Sequence, residues 1–371
     1  MRWKSSNFVE LLILFLLLGN IASPEDVLVT GDPATREFLK SVLSERGWTS
    51  FPRSELAPGD SWKNSQGDRV INVDWSPPEP SIAALSDHPE KVDRRGGLFF
   101  GGLTRLRPLV FQYYHLGKLR GSEPHLSFIL SNPGAEPATL HLQKGIGRTS
   151  LDYFSSGHTN NLRWFQAKRD RLGYFVTLAP KQTIELFRQP LPLEEVVSGT
   201  LGLTQTEGPP LSFAFVARPD DEEGLSLNNL LKAEDVHSRG FYPAAKQVVR
   251  RTFRTGHEPL GIAVGAIRQQ TFSGVRELRG DYGVTYRIEL DLVNDSAQEK
   301  TVELVFNPRG GAATGTFYLG EDLLEVENTK AFEERVFHQA TLSPGEERHL
   351  LLETIPEGAS SYPVRIIVRE K

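Results

Sequence analysis

The chain has 371 residues, of which 39% are hydrophobic and 24% charged, and its formal net charge is −5. This length allows one large domain or two to three ordinary ones, with enough apolar residues to build a core. The acidic balance, spread along the chain, argues against a dedicated nucleic-acid-binding protein, which would present a basic face. The densest basic run, at residues 248–257, is short and is interpreted as a solvated surface.

Residues 1–23 have the layout of a secretory signal peptide. Arg2 and Lys4 precede an apolar run from Leu11 to Leu18, and small residues come after it. The run is shorter than the roughly 20 apolar residues that a membrane-spanning helix needs. We therefore predict export, with cleavage after Ala22 or Ser23, and a secreted, cell-surface or periplasmic protein with no further membrane span. The alternative is an uncleaved N-terminal anchor.

Sulfur is almost absent from the chain, which contains no cysteine and a single methionine, Met1. Disulfides, thiolate metal sites and a cysteine nucleophile are thereby excluded, and no cofactor is predicted. A chain without sulfur also resists oxidation, which suits an exposed extracellular protein. Compositional drift explains the same observation equally well.

Residues 24–92 are predicted to form a short α/β preface or linker with one helix. Apolar side chains recur at helical spacing from Phe38 to Leu43, and Gly47 comes next as a helix end. The stretch from residue 54 to 91 is rich in Pro, Gly and Asp, with one strand predicted at 69–75.

The remainder of the chain has a β pattern, interrupted once. Short alternating apolar segments separated by turn residues fill residues 93–218 and predict a first β-sandwich. An acidic run and a leucine-bearing stretch at 219–256 predict a linker with a short helix. The β pattern resumes over 257–371 as a second sandwich. The predicted fold class is therefore all-β, with two tandem antiparallel β-sandwich domains preceded by a short α/β preface.

One passage occurs twice, as "LSFILSNPGAEPATLHL" at 126–142 and "IELDLVNDSAQEKTVEL" at 288–304. Four landmarks, two within each passage and two after it, occur in the same order and at nearly equal spacing. They are Asn132, Thr139, Pro180 and Pro192 in the first copy, and Asn294, Thr301, Pro344 and Pro356 in the second. This order predicts an internal duplication. The alternative is that both passages are hairpins common to many sandwiches.

The chain from about Asp93 onward, roughly three quarters of its length, resembles a family of secreted bacterial proteins known as a domain of unknown function. That family occurs mainly in cyanobacteria and also in some Gram-positive bacteria. The segments that carry the resemblance are "LVFQYYHLGKLRG", "LSFILSNPGAEPATLHLQKG", "SSGHTNN", "IELFRQPLPLEEVVSGTLGL" and "RGDYGVTYRIELDLVNDSAQEKTVELVF". The resemblance implies export and a β-rich envelope protein, and it brings no catalytic residues.

One cluster of side chains is predicted to bind a ligand from a loop at the rim of the first sandwich. Aromatic rings stack on sugar faces, and short polar side chains bind the hydroxyls, so a mixture of the two is typical of a sugar-binding or metal-binding loop. The residues are Tyr113, Tyr114, His115, Asp152, His158, Asn160 and Trp164. The alternative is an ordinary loop whose aromatic side chains pack on the rim.

Catalytic motifs are weak in this sequence, and neither catalytic nor metal-binding residues are assigned. No G-x-S-x-G or H-E-x-x-H motif occurs. Asp281, Asp291 and Asp295 lie near predicted strand ends, and a glycosidase needs two carboxylates at a defined separation.

The sequence therefore favours a non-catalytic binding or structural protein of the cell envelope. We expect it to recognise polysaccharide, cell wall or another envelope protein, and not nucleic acid. The alternative is a glycan-active hydrolase that uses loop carboxylates. A third interpretation is a chaperone-like or adhesion protein that pairs with a partner through a strand at the edge of a sheet.

Overall fold

The computed structural model describes residues 70–71, 81–88, 90–105, 108–121, 123–170, 172–218, 238–272 and 277–371. The predicted signal peptide, the preface helix and the linker helix lie outside the described residues. Within them, the chain forms 23 strands and one helix, α1 (Tyr153–Arg169). The predicted all-β, sandwich-type fold is confirmed.

The first sandwich consists of an eight-stranded sheet and a four-stranded sheet. The order of the larger sheet is β1 (Val70–Ile71), β8 (Leu172–Leu178), β7 (Ala138–Ile146), β10 (Val196–Glu207), β5 (Leu109–Gly117), β2 (Ile82–Ser86) and β12 (Ser238–Tyr242), with β3 (Lys91–Val92) also paired to β5. The order of the smaller sheet is β4 (Gly96–Leu103), β11 (Leu211–Arg218), β6 (His125–Ser131) and β9 (Thr183–Pro190).

Aromatic side chains fill the space between these two sheets. Phe111 on β5 makes edge-to-face contacts with Phe128 of β6 and Phe215 of β11, at ring-centroid distances of 5.5 and 5.2 Å. Each of these rings is fully buried, because alternate residues of each strand face the opposite sheet.

The second sandwich consists of a five-stranded sheet and a four-stranded sheet, with a separate two-stranded ribbon. The order of the five-stranded sheet is β13 (Lys246–Arg254), β17 (Thr285–Val293), β22 (Glu347–Thr354), β19 (Ala313–Leu319) and β20 (Asp322–Thr329). The order of the four-stranded sheet is β14 (Leu260–Val264), β23 (Val364–Glu370), β18 (Lys300–Pro308) and β21 (Arg335–Leu342), and the ribbon pairs β15 (Gln269–Gln270) with β16 (Glu277–Leu278).

Some strands lie outside the predicted domain bounds, at the start and the end of the first sandwich and at the start of the second. The first sandwich begins before residue 93, because β2 lies fully buried beside β5, and it also includes β12 from the predicted linker. The second sandwich begins with β13, before residue 257. These strands were missed because they pair with segments far away in the sequence, and long-range pairing leaves no local pattern.

The repeated passage has the same local structure in both sandwiches. The side-chain amide of Asn132 donates to the carbonyl oxygens of Glu136, Leu178 and Ala179 at 2.8, 3.2 and 3.1 Å. The amide of Asn294 donates to Gln298, Leu342 and Ser343 at 2.8, 3.1 and 3.0 Å. In each copy this asparagine closes its own turn and fastens it to the Leu-x-Pro turn, as the predicted duplication requires.

The two copies differ in the element that comes after the repeated hairpin. In the first copy α1 lies between β7 and β8, whereas in the second the hairpin β19–β20 lies between β18 and β21. The prediction of a loop around Asp152 and Trp164 is therefore wrong, because these residues begin and belong to a helix of 17 residues. Its serine, glycine and asparagine residues are poor helix formers, which is why the sequence resembles a loop.

Candidate functional site

The three predicted residues on β5 lie inside the protein. Tyr113 and His115 are 0% exposed and Tyr114 is 9% exposed. The Tyr113 hydroxyl donates to the side chain of Gln189 at 2.5 Å, and burial raises its pKa well above the ordinary value. His115 lies 3.0 Å from the Ser86 hydroxyl. Tyr113 and His115 therefore belong to the first core and are not accessible to a ligand.

Tyr114 faces the opposite side of β5, toward the second sandwich. Its ring lies against Gly358, where an added Cβ would be 2.4 Å from the ring. Its hydroxyl is 3.4 Å from the backbone oxygen of Tyr153, in the first turn of α1. Burial and then the nearby Glu90 raise the pKa of the Tyr114 hydroxyl.

The remaining predicted residues cap α1 or belong to it. Asp152 caps the helix, since its carboxylate accepts from the backbone amide of Phe154 at 3.1 Å. Asn160 is buried and donates to the Thr200 hydroxyl at 3.0 Å. Trp164 is 4% exposed and packs with Ile355 of the second sandwich.

Glycines allow α1 to approach both sandwiches closely. A Cβ on Gly145 of β7 would lie 2.5 Å from the backbone oxygen of Asn160. On the other side, a Cβ on Gly157 would lie 2.2 Å from the backbone oxygen of Gly358. The helix is therefore held between the larger sheet of the first sandwich and the second sandwich, and this packing compensates for its weak intrinsic propensity.

His158 is the polar centre of this contact. Its Nδ1 lies 3.0 Å from a carboxylate oxygen of Glu357, and its Nε2 lies 2.9 Å from a carboxylate oxygen of Glu325. The Glu357 side chain is 0% exposed, and it also accepts hydrogen bonds from the hydroxyls of Thr314 and Thr316. The predicted ligand-binding histidine is thus enclosed by two carboxylates of the second sandwich.

The charges around His158 decide its protonation state. Burial alone would lower the pKa of the imidazole, but the hydrogen bond and the charge of Glu357, and then those of Glu325, outweigh it and raise the pKa to about 9. At neutral pH the ring is therefore an imidazolium with both nitrogens donating. In that state it neither accepts a proton from a substrate nor ligates a metal ion.

Further contacts join α1 to the second sandwich. The Asn161 amide donates to the backbone oxygen of Ile355 at 2.7 Å, and the Lys168 ammonium pairs with the Glu353 carboxylate. The Phe165 ring stacks on Tyr318 with a centroid distance of 6.0 Å. We call this set the interdomain clasp; it comprises His158, Asn161, Phe165 and Lys168 of α1 with Tyr318, Glu325, Glu353, Ile355 and Glu357.

A second, apolar contact supports the interdomain clasp. Leu85 and Val110 from the outer face of the larger sheet pack with Leu278 and Val284 of the second sandwich. In addition, the backbone amide of Ala245 donates to Ser81 at 3.1 Å, at the point where β12 leads into β13. The two sandwiches are thus joined at two separate places.

The carboxylates considered for hydrolysis have different partners. The Asp281 carboxylate is buried and accepts from the Tyr286 hydroxyl at 2.5 Å. Asp291 pairs with His349 and Asp295 with Arg254. Among the described residues, no group of three or more His, Asp or Glu side chains has the geometry to hold a metal ion.

An exposed apolar surface lies next to the start of α1. Leu151 is 70% exposed, Tyr153 46% and Leu193 49%. An antiparallel bridge joins Ser150 to Val196, so the chain segments that carry Leu151 and Leu193 approach each other at this bridge. We call Leu151, Tyr153 and Leu193 the apolar rim. The neighbouring Asp152 was predicted from the sequence but these three residues were missed, because isolated exposed apolar residues have no sequence pattern.

In the part of the chain that the structure describes, no helix has the length and apolar character to cross a membrane. No protein-family model and no curated protein matches the chain.

Several solved structures give weak matches. Lac15 from a marine microbial metagenome is 8% identical over 76% of this chain and 60% of its own, with a TM-score of 0.13. Fet3p, a multicopper oxidase that functions in iron import, is 9% identical over 85% of this chain and 62% of its own, with a TM-score of 0.14. A multicopper oxidase from Pediococcus acidilactici is 10% identical over 74% and 52%, with a TM-score of 0.13. The chain thus spans between 52% and 62% of the length of these proteins. TM-scores this low support no statement about the fold or the chemistry of the chain.

Proposed function

We propose that this chain is an exported, non-catalytic protein of the cell envelope that binds polysaccharide, cell wall or another envelope protein. The proposal includes membership of the secreted bacterial family that the sequence resembles. The observation that carries it is the apolar rim, which is exposed beside a helix whose other face is fixed to both sandwiches. Exposed apolar side chains that cluster are typical of interaction surfaces, and a fixed scaffold reduces the entropy lost on binding.

The chemistry of the interdomain clasp supports a binding role over a catalytic one. Both nitrogens of His158 are held by carboxylates, and the polar side chains of the originally predicted site hold α1 in place. The apolar rim, whose residues are next in sequence to Asp152 and Glu194, is the binding surface that this proposal puts in place of the predicted loop.

The test is a binding screen with the purified chain against insoluble polysaccharides, a cell-wall fraction and solubilised envelope proteins, alongside a panel of glycoside-hydrolase substrates. The double variant Leu151→Ala/Tyr153→Ala should lose binding to the fraction that retains the wild type. Phe332→Ala removes a side chain that is 67% exposed on the second sandwich, and it serves as the matched control. Equal binding by the double variant and the wild type would rule out the apolar rim, and turnover of a glycan would establish the hydrolase alternative.

Export is tested separately by intact-mass measurement after expression in a bacterial host. Loss of the first 22 or 23 residues is expected. A full-length, membrane-associated product would show that residues 1–23 act as an anchor.

A further inference from the structure

The two outer strands of the five-stranded sheet carry opposite charge. In the described part of the chain, β13 and β20 each pair with one neighbour only, β17 and β19 respectively. The sequence of β13 is KQVVRRTFR, with four basic residues and no acidic one, and that of β20 is DLLEVENT, with three acidic residues and no basic one. Free edges usually carry charge to prevent pairing, but opposite charge on two edges of one sheet makes them complementary to each other.

Two of the basic residues of β13 and two of the acidic residues of β20 lie on the same face of the sheet. On β13, Val249 and Phe253 pack against the core, so alternation places Arg250 and Arg254 on the outer face. On β20, Leu324 and Val326 pack against the same core, so Glu325 and Glu327 occupy the outer face. Cross-strand pairs form between residues on one face, so Glu327 would meet the arginines of β13 if the two edges paired, while Glu325 keeps its contact with His158.

These two edges cannot meet within one molecule. Three strands separate β13 from β20, and at about 4.8 Å per strand the edges lie about 19 Å apart. Pairing between β13 and β20 therefore requires a second copy of the chain.

The strand directions suit such a contact. β13 runs parallel to β17, which is antiparallel to β22, then β19, then β20. Counting along the sheet, β20 runs opposite to β13. When two copies face the same way, β20 of one therefore meets β13 of the other as an antiparallel pair, with lengths of eight and nine residues.

We propose that β13 of one molecule pairs with β20 of a second copy of this chain, so that the five-stranded sheets join head to tail. Because the two surfaces differ, each added copy leaves one edge of each kind, and the contact propagates instead of closing as a symmetric dimer. Adjacent strands are twisted by about −20°, so five strands rotate each copy by on the order of 100° relative to the previous one. The first sandwiches of neighbouring copies therefore point in different directions.

Existing ion pairs do not prevent this contact. Arg250 donates to Glu289 at 2.6 Å, and Arg254 donates to Asp295 at 2.7 Å. The side chains of Arg250 and Arg254 are 74% and 50% exposed. Exposed pairs of this kind are worth less than about 1 kcal/mol, so they can exchange for partners on an incoming strand.

The experiment measures self-association of the purified full chain by sedimentation velocity over a range of concentrations. The wild type should form species whose mass increases with concentration. Raising the salt from about 0.1 M to about 1 M shortens the screening length from about 10 Å to about 3 Å and should dissociate them. Species that stop at a dimer of fixed mass would overturn head-to-tail growth.

Reversing the charges of each outer strand tests whether β13 and β20 form the contact. Variant A carries Arg250→Glu, Arg251→Glu and Arg254→Glu on β13, which leaves Lys246 as the one basic residue of that strand, and variant B carries Asp322→Lys and Glu327→Lys on β20. Glu325 is left unchanged because it contacts His158. Each variant should associate at least about tenfold more weakly than the wild type, because opposite charges across a strand pair become like charges. The matched control is Arg279→Glu with Glu299→Lys, which reverses exposed charges away from both edges and should not change association.

Mixing variants A and B provides the decisive result. The acidic β13 of A complements the basic β20 of B, and the acidic β20 of A complements the basic β13 of B. The mixture should therefore associate, although neither variant does alone, and thermal melts of each should match the wild type. A monomeric wild type, association unaffected by either reversal, or a mixture that stays monomeric while both variants are folded would overturn the proposal.

Discussion

Replacing His158 with alanine removes the imidazolium that lies between Glu357 and Glu325. Raising the pKa of an imidazole from 6.5 to about 9 on folding corresponds to about 3 kcal/mol, at about 1.4 kcal/mol for each pH unit. The Glu325 side chain is 49% exposed, and solvent screening weakens that half of the interaction. We therefore expect a charge contribution of about 2 kcal/mol. In addition, the variant leaves the buried Glu357 carboxylate with only the two threonine hydroxyls, which raises the total loss to about 3 kcal/mol at pH 6.

The pH dependence is set by the direction of the pKa change. The folded-state pKa is raised, so the charge contribution is present in full below pH 6.5 and is lost as the pH rises through about 9. The difference in free energy of unfolding between wild type and His158→Ala should therefore shrink by about 2 kcal/mol between pH 6 and pH 10.

The assay is urea unfolding monitored by tryptophan fluorescence at pH 6, 8 and 10. His349→Ala is the matched control, because His349 also pairs with a carboxylate, that of Asp291, but both side chains are largely exposed at 59% and 41%. The control should lose less than about 1 kcal/mol. A loss in His158→Ala no larger than in the control, or one that stays constant from pH 6 to pH 10, would show that the imidazolium does not stabilise the contact between the sandwiches.

Three other outcomes are expected from local structure. Burial raises the pKa of the Asp281 carboxyl to about 6, so its ionised form disfavours folding increasingly as the pH rises from 3.8 through 6. Asp281→Asn should therefore stabilise the protein by about 1–2 kcal/mol at pH 7 and by almost nothing at pH 4, which thermal melts at pH 7 and pH 4 check. The backbone φ of 51° at this position is one that asparagine tolerates. Asn132→Ala and Asn294→Ala each remove three hydrogen bonds to backbone oxygens and should each cost about 3 kcal/mol in urea unfolding. The Asn294 oxygen also accepts from the hydroxyls of Thr255 and Ser296, so Asn294→Ala should cost at least as much as Asn132→Ala, and a smaller loss would contradict the equivalence of the two turns. The linker-like sequence of residues 219–237 predicts that limited proteolysis cuts there. The two fragments should co-elute in gel filtration because β12, which lies after the cut, pairs with β2. A C-terminal fragment that separates without denaturant would show that this strand and the interdomain clasp hold weakly.

The sequence predicts the strands better than it predicts the site. The hairpin at 126–142 is predicted by alternation and by a turn whose asparagine acts within its own segment, and both signals are local. The strands β2 and β12 depend on each other across the chain, so their short apolar segments resemble a linker. Composition alone therefore places the start of each sandwich too late and the end of the first sandwich too early.

The helix α1 and the interdomain clasp could not be predicted for two different physical reasons. Gly157, Asn160 and Asn161 weaken the intrinsic helix signal, and α1 is stabilised mainly by packing between the two sandwiches. His158 and Glu357 are 199 residues apart in the chain, so nothing near either of them indicates the other. The mixture of aromatic and short polar side chains that suggested a ligand site also suits an interface between domains, because both need apolar contact area and oriented hydrogen bonds.

The interdomain clasp should make the two sandwiches one rigid unit, and a pulsed electron-spin distance measurement tests this directly. The chain has no cysteine, so Glu136→Cys and Glu299→Cys introduce the only labelling sites, at exposed turns of the first and second sandwich. The labelled chain is diluted with unlabelled chain, so that only distances within one molecule are measured. We expect one narrow distance distribution at pH 7 that broadens in the His158→Ala background. A broad or bimodal distribution in the wild type at pH 7, equal to that in the variant, would contradict a rigid connection through the interdomain clasp.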